Sequence, residues 1–402
     1  MIRLKDTRHG NTADFLLSAI NIAEYYGFSP LEEMKMARDS DKKRAQSKSD
    51  SDIAYARRDE RALTSSAKRC AACLRAIPEE LTSGGLLAWR AVPAPGNTAA
   101  TTLELHVAGT SSAIAEAILL VVANAIAEDA GITDRSLAIN NIGSHESSNR
   151  FVRDVSTYLR KHIETISPTL RPRAAVDPLG TLIQLIERGH PAAPRAPQAM
   201  EYLTEDERRK FWELLEYLEI FGLPYELTPT VLGSRDCWSH SLFEISTHDE
   251  ETGGRITIAS GGRYDPLVSR FGSNVSAATI SIHCELRGKN KIKQPARRQP
   301  AMYFAHLGPE ARRRALTVME MLRHEEIPVH QSLLYDRIGE QMARAKQLAV
   351  PYILIMGYKE AMENTILVRE VSTNSQEAVP VLELPQYLKR HRAPLTLSAL
   401  NA

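Results

Sequence analysis

The stretch Ile258-Ala-Ser-Gly-Gly-Arg-Tyr-Asp-Pro-Leu-Val268 decides the fold of this chain. It predicts a short strand that runs into a Gly-Gly bend, because paired glycines let a backbone approach a ligand closely. An arginine, a tyrosine lid and an aspartate follow on the predicted turn, where they could hold a small zwitterion. The residues of this candidate ligand pocket are Gly261, Gly262, Arg263, Tyr264 and Asp265. An ordinary strand-to-helix turn with surface charges stays open as the alternative, since Gly-Gly turns are common.

Three segments of the chain resemble the histidyl-tRNA synthetases, a class II family. Ser260–Leu267 resembles a signature whose tyrosine and neighbouring residues line the family's histidine pocket, and Val268–Gly272 continues the match. Leu137–Ser144 resembles the strand and turn that open the family's insertion domain. Met302–His391 resembles its anticodon-binding domain. The segments follow the family's order at roughly its spacing, so the resemblance spans nearly the whole chain.

The predicted elements agree with the fold that this resemblance implies. Residues 1–290 mix helices with strands and are predicted to form an α+β class II aminoacyl-tRNA-synthetase core, an antiparallel sheet with helices. A helical insertion is expected at about 146–226. Residues 291–300 form a basic linker, and residues 301–402 alternate strands and helices as a C-terminal α/β anticodon-binding-like domain.

Four local signals fix individual elements. Asn11–Gly27 places apolar residues at helical spacing and stops at a glycine. Thr204-Glu-Asp-Glu207 predicts a capping box, with threonine at the N-cap and glutamate at N3. Gly308-Pro-Glu310 predicts a helix start with proline at N1. Pro351–Gly357 is a near-continuous apolar run, as expected of a strand that is buried on both faces.

Composition sets broad limits on function. The 402 residues suffice for two or three domains, and 43% hydrophobic with 25% charged residues is typical of a soluble globular protein. The net charge of +1 means that whole-chain electrostatics predict neither nucleic-acid nor membrane binding, although a local patch could still bind.

Cysteine usage and the apolar segments indicate a cytoplasmic protein. Four cysteines are too few for a disulfide scaffold and fit a reducing compartment. Cys70 and Cys73 have metal or redox spacing, but without a second such pair nearby we interpret them as two thiols in a helix and expect no metal site. We identify no signal peptide. Ala113–Ala127 is too short for a bilayer, which needs about 20 apolar residues, so we expect a buried helix.

The resemblance implies a site for ATP with Mg²⁺, in which arginines neutralise the charge as pyrophosphate leaves. Arg90 takes the place of the motif-2 arginine and is the one catalytic candidate, while Val92 replaces the glutamate that follows it in the family. The loop that normally grips ATP and the tRNA acceptor end is the uncharged Pro93–Thr101. Two further arginines are missing, because Gly233 and Leu286 stand at their positions and Arg287 comes one residue late.

Histidine recognition is also altered. The resemblance implies that Glu104 replaces a glutamine that binds the amino group and that Ala108 replaces a glutamate that binds the imidazole. A buried imidazole donor facing a methyl group would be unpaired, at a cost of about 1–3 kcal/mol. Glu60 and Asp236 are retained and complete the candidate ligand pocket.

Because removal of one phosphate-stabilising group commonly lowers the rate by about 10²–10³, we interpret the chain as a paralogue that has lost efficient histidine adenylation. It would act as a tRNA- or protein-binding or regulatory factor, with ATP and Mg²⁺ needed only if it is active. The alternatives are a divergent, active histidine–tRNA ligase and a regulatory subunit of the ATP phosphoribosyltransferase type. The expected partners are a second copy of the chain, tRNA and histidine or a related small molecule, but no membrane. The candidate RNA-binding residues are the cations of the linker region, Lys289, Lys291, Lys293, Arg297 and Arg298.

Overall fold

The computed structural model describes most of the chain. The described residues are 12–31, 85–93, 100–233, 236–249, 253–270, 273–285, 302–331 and 333–392. The chain divides into two compact units, the first formed by residues 1–20, 28–215 and 224–292 and the second by 21–27, 216–223 and 293–402. The predictions that concern Glu60, the pair Cys70 and Cys73, and residues 286–301 lie outside the described residues.

The first unit is built on an eight-stranded sheet. Its strands are β1 (Ser29–Pro30), β2 (Leu86–Pro93), β3 (Ala100–Ala108), β4 (Ser136–Asn141), β5 (Tyr225–Leu227), β6 (Ser239–Asp249), β7 (Gly254–Arg263) and β8 (Ala277–Glu285). The order across the sheet is β1-β2-β3-β8-β7-β6-β4-β5. In this order, each pair of neighbouring strands between β2 and β4 is antiparallel. The two short outer strands are parallel to their neighbours, β1 to β2 and β5 to β4. The predicted antiparallel sheet with helices is therefore confirmed.

One face of this sheet is covered by a helix that is buried on almost every side. The helix α2 (Ile114–Asp129) follows α1 (Thr12–Tyr25) in the chain and lies against β3, β7 and β8. All its residues from Ile114 to Ala127 are buried, because nearly every position carries Ala, Ile, Leu or Val. Glu116 and Asn124 are the polar exceptions. Among the described residues, no helix is long and apolar enough to cross a membrane.

The residues between β4 and β5 are mainly helical. The helices are α3 (His145–Lys161), α4 (Arg171–Val176), α5 (Pro178–Glu187) and α6 (Glu205–Phe221). The predicted capping box at the start of α6 is confirmed, since Glu207 N–H donates to Thr204 Oγ1 at 3.3 Å and Thr204 N–H donates to Glu207 Oε2 at 2.8 Å. Apolar side chains from α3, α4 and α5 share a buried core with residues at the ends of the sheet strands.

The second unit contains a five-stranded sheet of order β10-β9-β11-β12-β13. Its strands are β9 (Met302–His306), β10 (Val329–Gln331), β11 (Tyr352–Met356), β12 (Thr365–Glu370) and β13 (Gln376–Pro380). Its helices are α8 (Pro309–His324), α9 (Ile338–Gln347), α10 (Tyr358–Glu363) and α11 (Leu384–Arg392). The short helix α7 (Asp265–Arg270), between β7 and β8, belongs to the first unit. β10, β9 and β11 are parallel, and β12 and β13 are antiparallel. The predicted C-terminal α/β domain, the proline-led helix α8 and the apolar strand β11 are all present.

Candidate functional site

A row of polar side chains crosses the face of the first sheet that is opposite to α2, which we call the front face. The register pairs Arg90 with Glu104, Glu104 with Ser281, Ser281 with Ser260 and Ser260 with Glu244. Cross-strand partners point to the same side of a sheet, so the five side chains form one row across five strands. Two predicted site residues, Arg90 and Glu104, are therefore brought together.

Glu104 is buried in this row beside a histidine. Its Oε2 lies 3.7 Å from Nε2 of His106, and both side chains are 2% exposed. The His106 ring in turn meets the ring of Tyr264 edge to face, with 6.3 Å between the ring centroids. Arg90, Glu104 and Tyr264 thus share the front face.

The end of the front face next to Tyr264 is filled by apolar side chains. Ala108, Leu242 and Tyr264 belong to one buried core together with Trp238 and the apolar side chains of α3 to α5. Trp238 is 1% exposed and is among the largest fully buried side chains of the described residues. This part of the face is packed as a protein interior, not as a polar recognition surface.

Gly233 lies against the ring of Trp238. A β-carbon at position 233 would lie 2.6 Å from Cδ1 of Trp238 and 3.2 Å from its Nε1. Carbon atoms essentially never approach so closely, so no larger side chain fits at 233 unless the indole moves. The position at which the resemblance implies an arginine is thus closed by packing in this chain.

Arg263 lies on the opposite face of the sheet from Tyr264, so the structure does not bring these two predicted pocket residues together. Its strand position directs it to the face covered by α2, where Nη2 lies 2.6 Å from Oε2 of Glu116 and Nε donates to Oε1 at 2.9 Å. The guanidinium also donates to the carbonyl oxygen of Thr110 and to the hydroxyl of Ser276. Burial lowers the pKa of Arg263, but the Glu116 carboxylate outweighs this effect and the net pKa is raised.

The predicted Gly-Gly bend is also corrected. Gly261 and Gly262 lie within the continuous strand β7 and pair with β6 on one side and β8 on the other. A β-carbon at Gly261 would lie 2.2 Å from the carbonyl oxygen of Thr279, and one at Gly262 would lie 2.6 Å from that of Ser241. Neighbouring strands, not a ligand, therefore require both glycines.

The two aspartates of the candidate pocket have defined partners. Asp265 Oδ1 accepts from the backbone N–H of Ala277 at 2.7 Å, and its carboxylate also accepts from the hydroxyl of Ser276. Asp236 lies 2.9 Å from the guanidinium of Arg270. Both aspartates border a cleft of about 440 Å³ at the end of the sheet. We call it the outer cleft, and its lining residues are Ser144, His145, Asp236, Ser239, His240, Asp265, Pro266, Ser269 and Arg270.

His240 in the outer cleft is a functional candidate that the sequence analysis missed. It adopts a left-handed backbone conformation, with φ of 53°, where β6 departs from regular pairing with β7. Such a conformation is uncommon for a residue other than glycine and is often found at functional sites. Burial, followed by the charge of Arg263, lowers the pKa of the His240 imidazole, which favours its neutral form. No pattern in the sequence marks this conformation.

Glu60 and the cations Lys289, Lys291, Lys293, Arg297 and Arg298 lie outside the described residues. Across the residues that are described, no group of three or more His, Cys, Asp or Glu side chains is arranged to hold a metal ion.

Comparisons with known proteins identify one domain and a set of relatives. A family described as anticodon binding domain matches residues 302–391. The histidine–tRNA ligase of Cyanothece sp. is 29% identical over 287 residues, which are 70% of this chain and 66% of that protein. The histidine–tRNA ligase of Thermosynechococcus vestitus is 27% identical over 285 residues, which are likewise 70% of this chain and 66% of that protein. The matched region therefore spans just under two thirds of these relatives.

Among solved structures, the histidyl-tRNA synthetase of Nostoc sp. PCC 7120 covers 96% of this chain and 99% of its own, at 15% identity and a TM-score of 0.43. This likeness is too weak to carry an argument about the site. The resemblance therefore rests on the matches in sequence and on the anticodon binding domain.

Proposed function

We propose that this chain, which is a member of the class II histidyl-tRNA synthetase family, has lost efficient histidine adenylation and acts by binding tRNA. The observation that carries the proposal is the packing of Trp238 on Gly233, because it closes the position of a phosphate-stabilising arginine. Ala108 adds to it, since this methyl group lies in an apolar core where the family places a carboxylate for the imidazole. Both changes remove charge from the place where adenylation needs it.

The residues fit ATP and Mg²⁺ poorly. Arg90 is the one matching arginine that the described front face retains, and its cross-strand neighbour is the carboxylate-bearing Glu104. A buried carboxylate beside that arginine competes with a phosphate for it.

A divergent, active histidine–tRNA ligase is the second candidate. It is favoured by Arg90, by the retained row on the front face and by the names of the relatives. A regulatory subunit of the ATP phosphoribosyltransferase type is less well supported, because such regulators lack the anticodon domain that matches residues 302–391 here.

The C-terminal domain offers a surface that suits RNA. Tyr358 follows the carboxyl end of β11 and is 67% exposed, with Lys359 beside it in sequence. An exposed tyrosine ring can stack on an unpaired base, and a neighbouring cation can contact phosphate. The cationic residues between 289 and 298 would add contacts that depend on salt but not on sequence.

Fluorescence anisotropy with labelled tRNA at low salt tests the binding role. We expect tRNA to bind more tightly than a generic RNA of equal length, and Tyr358→Ala to weaken binding by about 1–3 kcal/mol. Leu382→Ala is the matched control, because Leu382 is another exposed apolar residue of the domain, 83% exposed. Replacing the five cations at Lys289, Lys291, Lys293, Arg297 and Arg298 with glutamine should flatten the salt dependence. Equal affinity for tRNA and generic RNA would contradict the proposal.

A homodimer is part of the same proposal. Obligate dimers bury about 2,000 Å² or more of largely apolar surface. The apolar side chains Phe15, Leu16 and Ile20 of α1 are buried within the single chain, so an interface would have to use other surfaces. Sedimentation that gives a concentration-independent monomer of 44.7 kDa would exclude the dimer.

A further inference from the structure

His240 lies between the outer cleft and a second, smaller cavity of the first unit. The smaller cavity has a volume of about 30 Å³, which is room for one water molecule. Glu116, Glu207 and Arg263 are among the side chains that line it. His240 and Asp265 line both spaces. A movement of the His240 side chain would therefore join the small polar cavity to the open cleft.

The backbone of His240 is strained and is held in place by two hydrogen bonds. Its φ of 53° lies in the left-handed region, which costs a residue with a β-carbon about 1–3 kcal/mol. Its N–H donates to the carbonyl oxygen of Gly143 at 2.7 Å, and its own carbonyl oxygen accepts from the N–H of Ile142 at 2.9 Å. These two bonds join the residues that follow β4 to the start of β6. Such strain persists only while the surrounding structure holds it, so opening of the two bonds would release it.

The His240 imidazole lies among charged side chains from several elements. The charges that act on its titration belong to Arg263 at the end of β7, Asp265 at the start of α7, Glu116 in α2 and Glu207 in α6. The other ionisable side chains that line the two spaces are Lys210, His145, Asp236 and Arg270. Protonation of His240 therefore adds a cation to a cluster that is already charged and partly buried.

The nearby carboxylates already have partners, which limits how well they can stabilise a protonated imidazole. Glu116 pairs with Arg263 at 2.6 Å, and Asp265 accepts from a backbone N–H at 2.7 Å. Glu207 accepts from backbone N–H groups at the amino ends of α3 and α6. Burial, followed by the charge of Arg263, lowers the pKa of the His240 imidazole, and the carboxylates offset this effect only in part.

We propose that His240 is a pH-sensitive latch, which holds the end of β4 against β6 while its imidazole is neutral and releases it when the imidazole takes up a proton. Protonation places a partly buried cation beside Arg263. Movement of the side chain into the outer cleft hydrates this cation and relieves the left-handed strain, and the bonds to Gly143 and Ile142 open in the same step. The latch works whether or not the chain adenylates histidine or binds tRNA. Its failure would therefore leave the proposed function unaffected.

Acid should open the latch because the closed form disfavours the proton. The pKa of the His240 imidazole is lower in the folded protein than its ordinary value of 6.5, so the opened segment binds more protons as the pH falls below 6.5. The stability that the neutral imidazole contributes is therefore complete above that pH and is lost progressively as the pH falls toward the lowered pKa. Glu207, whose pKa is about 2, stays ionised above about pH 5 and does not account for the change.

Hydrogen exchange followed by NMR on the full-length protein tests the latch between about pH 7.5 and about pH 5.5. The opening constant of an amide is its exchange rate divided by the intrinsic rate of an unprotected amide at the same pH. For the amides of Ile142 and His240 we expect this constant to rise by up to about tenfold over the range, a limit set by the ordinary imidazole pKa of 6.5. The amides of β8, in the middle of the same sheet, should not follow. The measurement uses the unmodified protein and does not depend on the folding of a variant.

Two variants assign the effect to His240. His240→Asn removes the titrating group, and asparagine adopts the left-handed conformation more readily than most residues, so the opening constants at Ile142 and at position 240 should become independent of pH over the same range. His248→Asn is the matched control, because His248 is an exposed histidine of the same strand β6, and it should keep the full rise. The proposal is overturned if the unmodified protein shows no rise at Ile142, if the amides of β8 open in parallel, or if the rise is lost in His248→Asn and kept in His240→Asn.

Discussion

Gly233 lies so close to Trp238 that a β-carbon at position 233 would be 2.6 Å from Cδ1 of the indole. The residue type at 233 and the conformation of the tryptophan therefore depend on each other. Trp238 in turn belongs to the buried core that includes Tyr264. A larger residue at 233 would therefore disturb this core as well as the tryptophan.

We expect Gly233→Arg to destabilise the protein and not to restore adenylation. A guanidinium with its alkyl stem would have to displace Trp238 from the core, at a cost of about 3 kcal/mol or more. Thermal unfolding and the histidine-dependent exchange of pyrophosphate into ATP should be measured on the same preparation. An arginine at 233 that left the melting temperature unchanged and increased exchange would show that this position is open.

The buried ion pair of Arg263 and Glu116 should contribute stability only as a pair. Arg263→Met alone leaves a buried carboxylate and should cost about 3–5 kcal/mol of unfolding free energy. Adding Glu116→Leu removes that orphaned charge and should recover much of the loss. Urea denaturation of the single and double variants measures this coupling.

The control for this cycle is the exposed pair of Arg209 and Asp206, whose side chains are both 76% exposed. Its disruption by Arg209→Gln should cost less than about 1 kcal/mol. If Arg263→Met were as mild as the control, the ion pair would not be a structural element of the core.

Gly261→Ala should be severely destabilising. The added methyl group would meet the carbonyl oxygen of Thr279 at 2.2 Å and Cε2 of Phe243 at 2.5 Å, within a strand that is paired on both sides. We expect a loss of about 3 kcal/mol or more by chemical denaturation. Gly339→Ala in α9 is the matched control, because a β-carbon there has no atom within 4 Å. It should be neutral or stabilise by about 0.5–1 kcal/mol.

Glu207 should make stability depend on acid pH. Burial raises the pKa of its carboxyl, but hydrogen bonds from Thr204, Ser144 and Ser147 have the larger, opposite effect and lower the pKa to about 2. As the pH falls below the ordinary glutamate pKa of 4.5, the unfolded chain binds more protons than the folded protein. The stability that Glu207 contributes is therefore complete above pH 4.5 and is lost as the pH falls toward about 2.

We therefore expect Glu207→Gln to cost about 1–3 kcal/mol at pH 7, since the amide has a single oxygen acceptor, and the gap to the native protein to narrow at pH 3. Denaturation by urea at both pH values measures the gap. Glu205→Gln, at an exposed position in the same helical turn, is the control and should have little effect. A gap that did not change with pH would show that Glu207 does not titrate in this range.

Local signals in the sequence predicted many elements correctly because their causes are local. The capping box of Thr204 and Glu207 needs only residues three apart, and the helix that begins at Pro309 needs only the fixed φ of proline. The apolar run in β11 likewise reports burial on both faces.

Features that depend on distant residues could not be predicted in the same way. The partner of Arg263 lies 147 residues away in the chain, so no local pattern separates a ligand-binding arginine from a structural one. Gly261 and Gly262 suggested a bend because strands that crowd a glycine from both sides are invisible in sequence. The left-handed conformation of His240 has no sequence signal at all.

Histidine-dependent exchange of pyrophosphate into ATP by the purified, unmodified protein is the most direct measurement of the proposed loss of adenylation. An active histidine–tRNA ligase measured alongside and a reaction without histidine are the two references. If, as proposed, 233 is the position of a catalytic arginine and Ala108 that of the imidazole-binding carboxylate, we predict exchange at least about 10²–10³ below the active ligase. Exchange at a rate comparable to that ligase, and dependent on histidine, would contradict the loss of adenylation and establish an active enzyme.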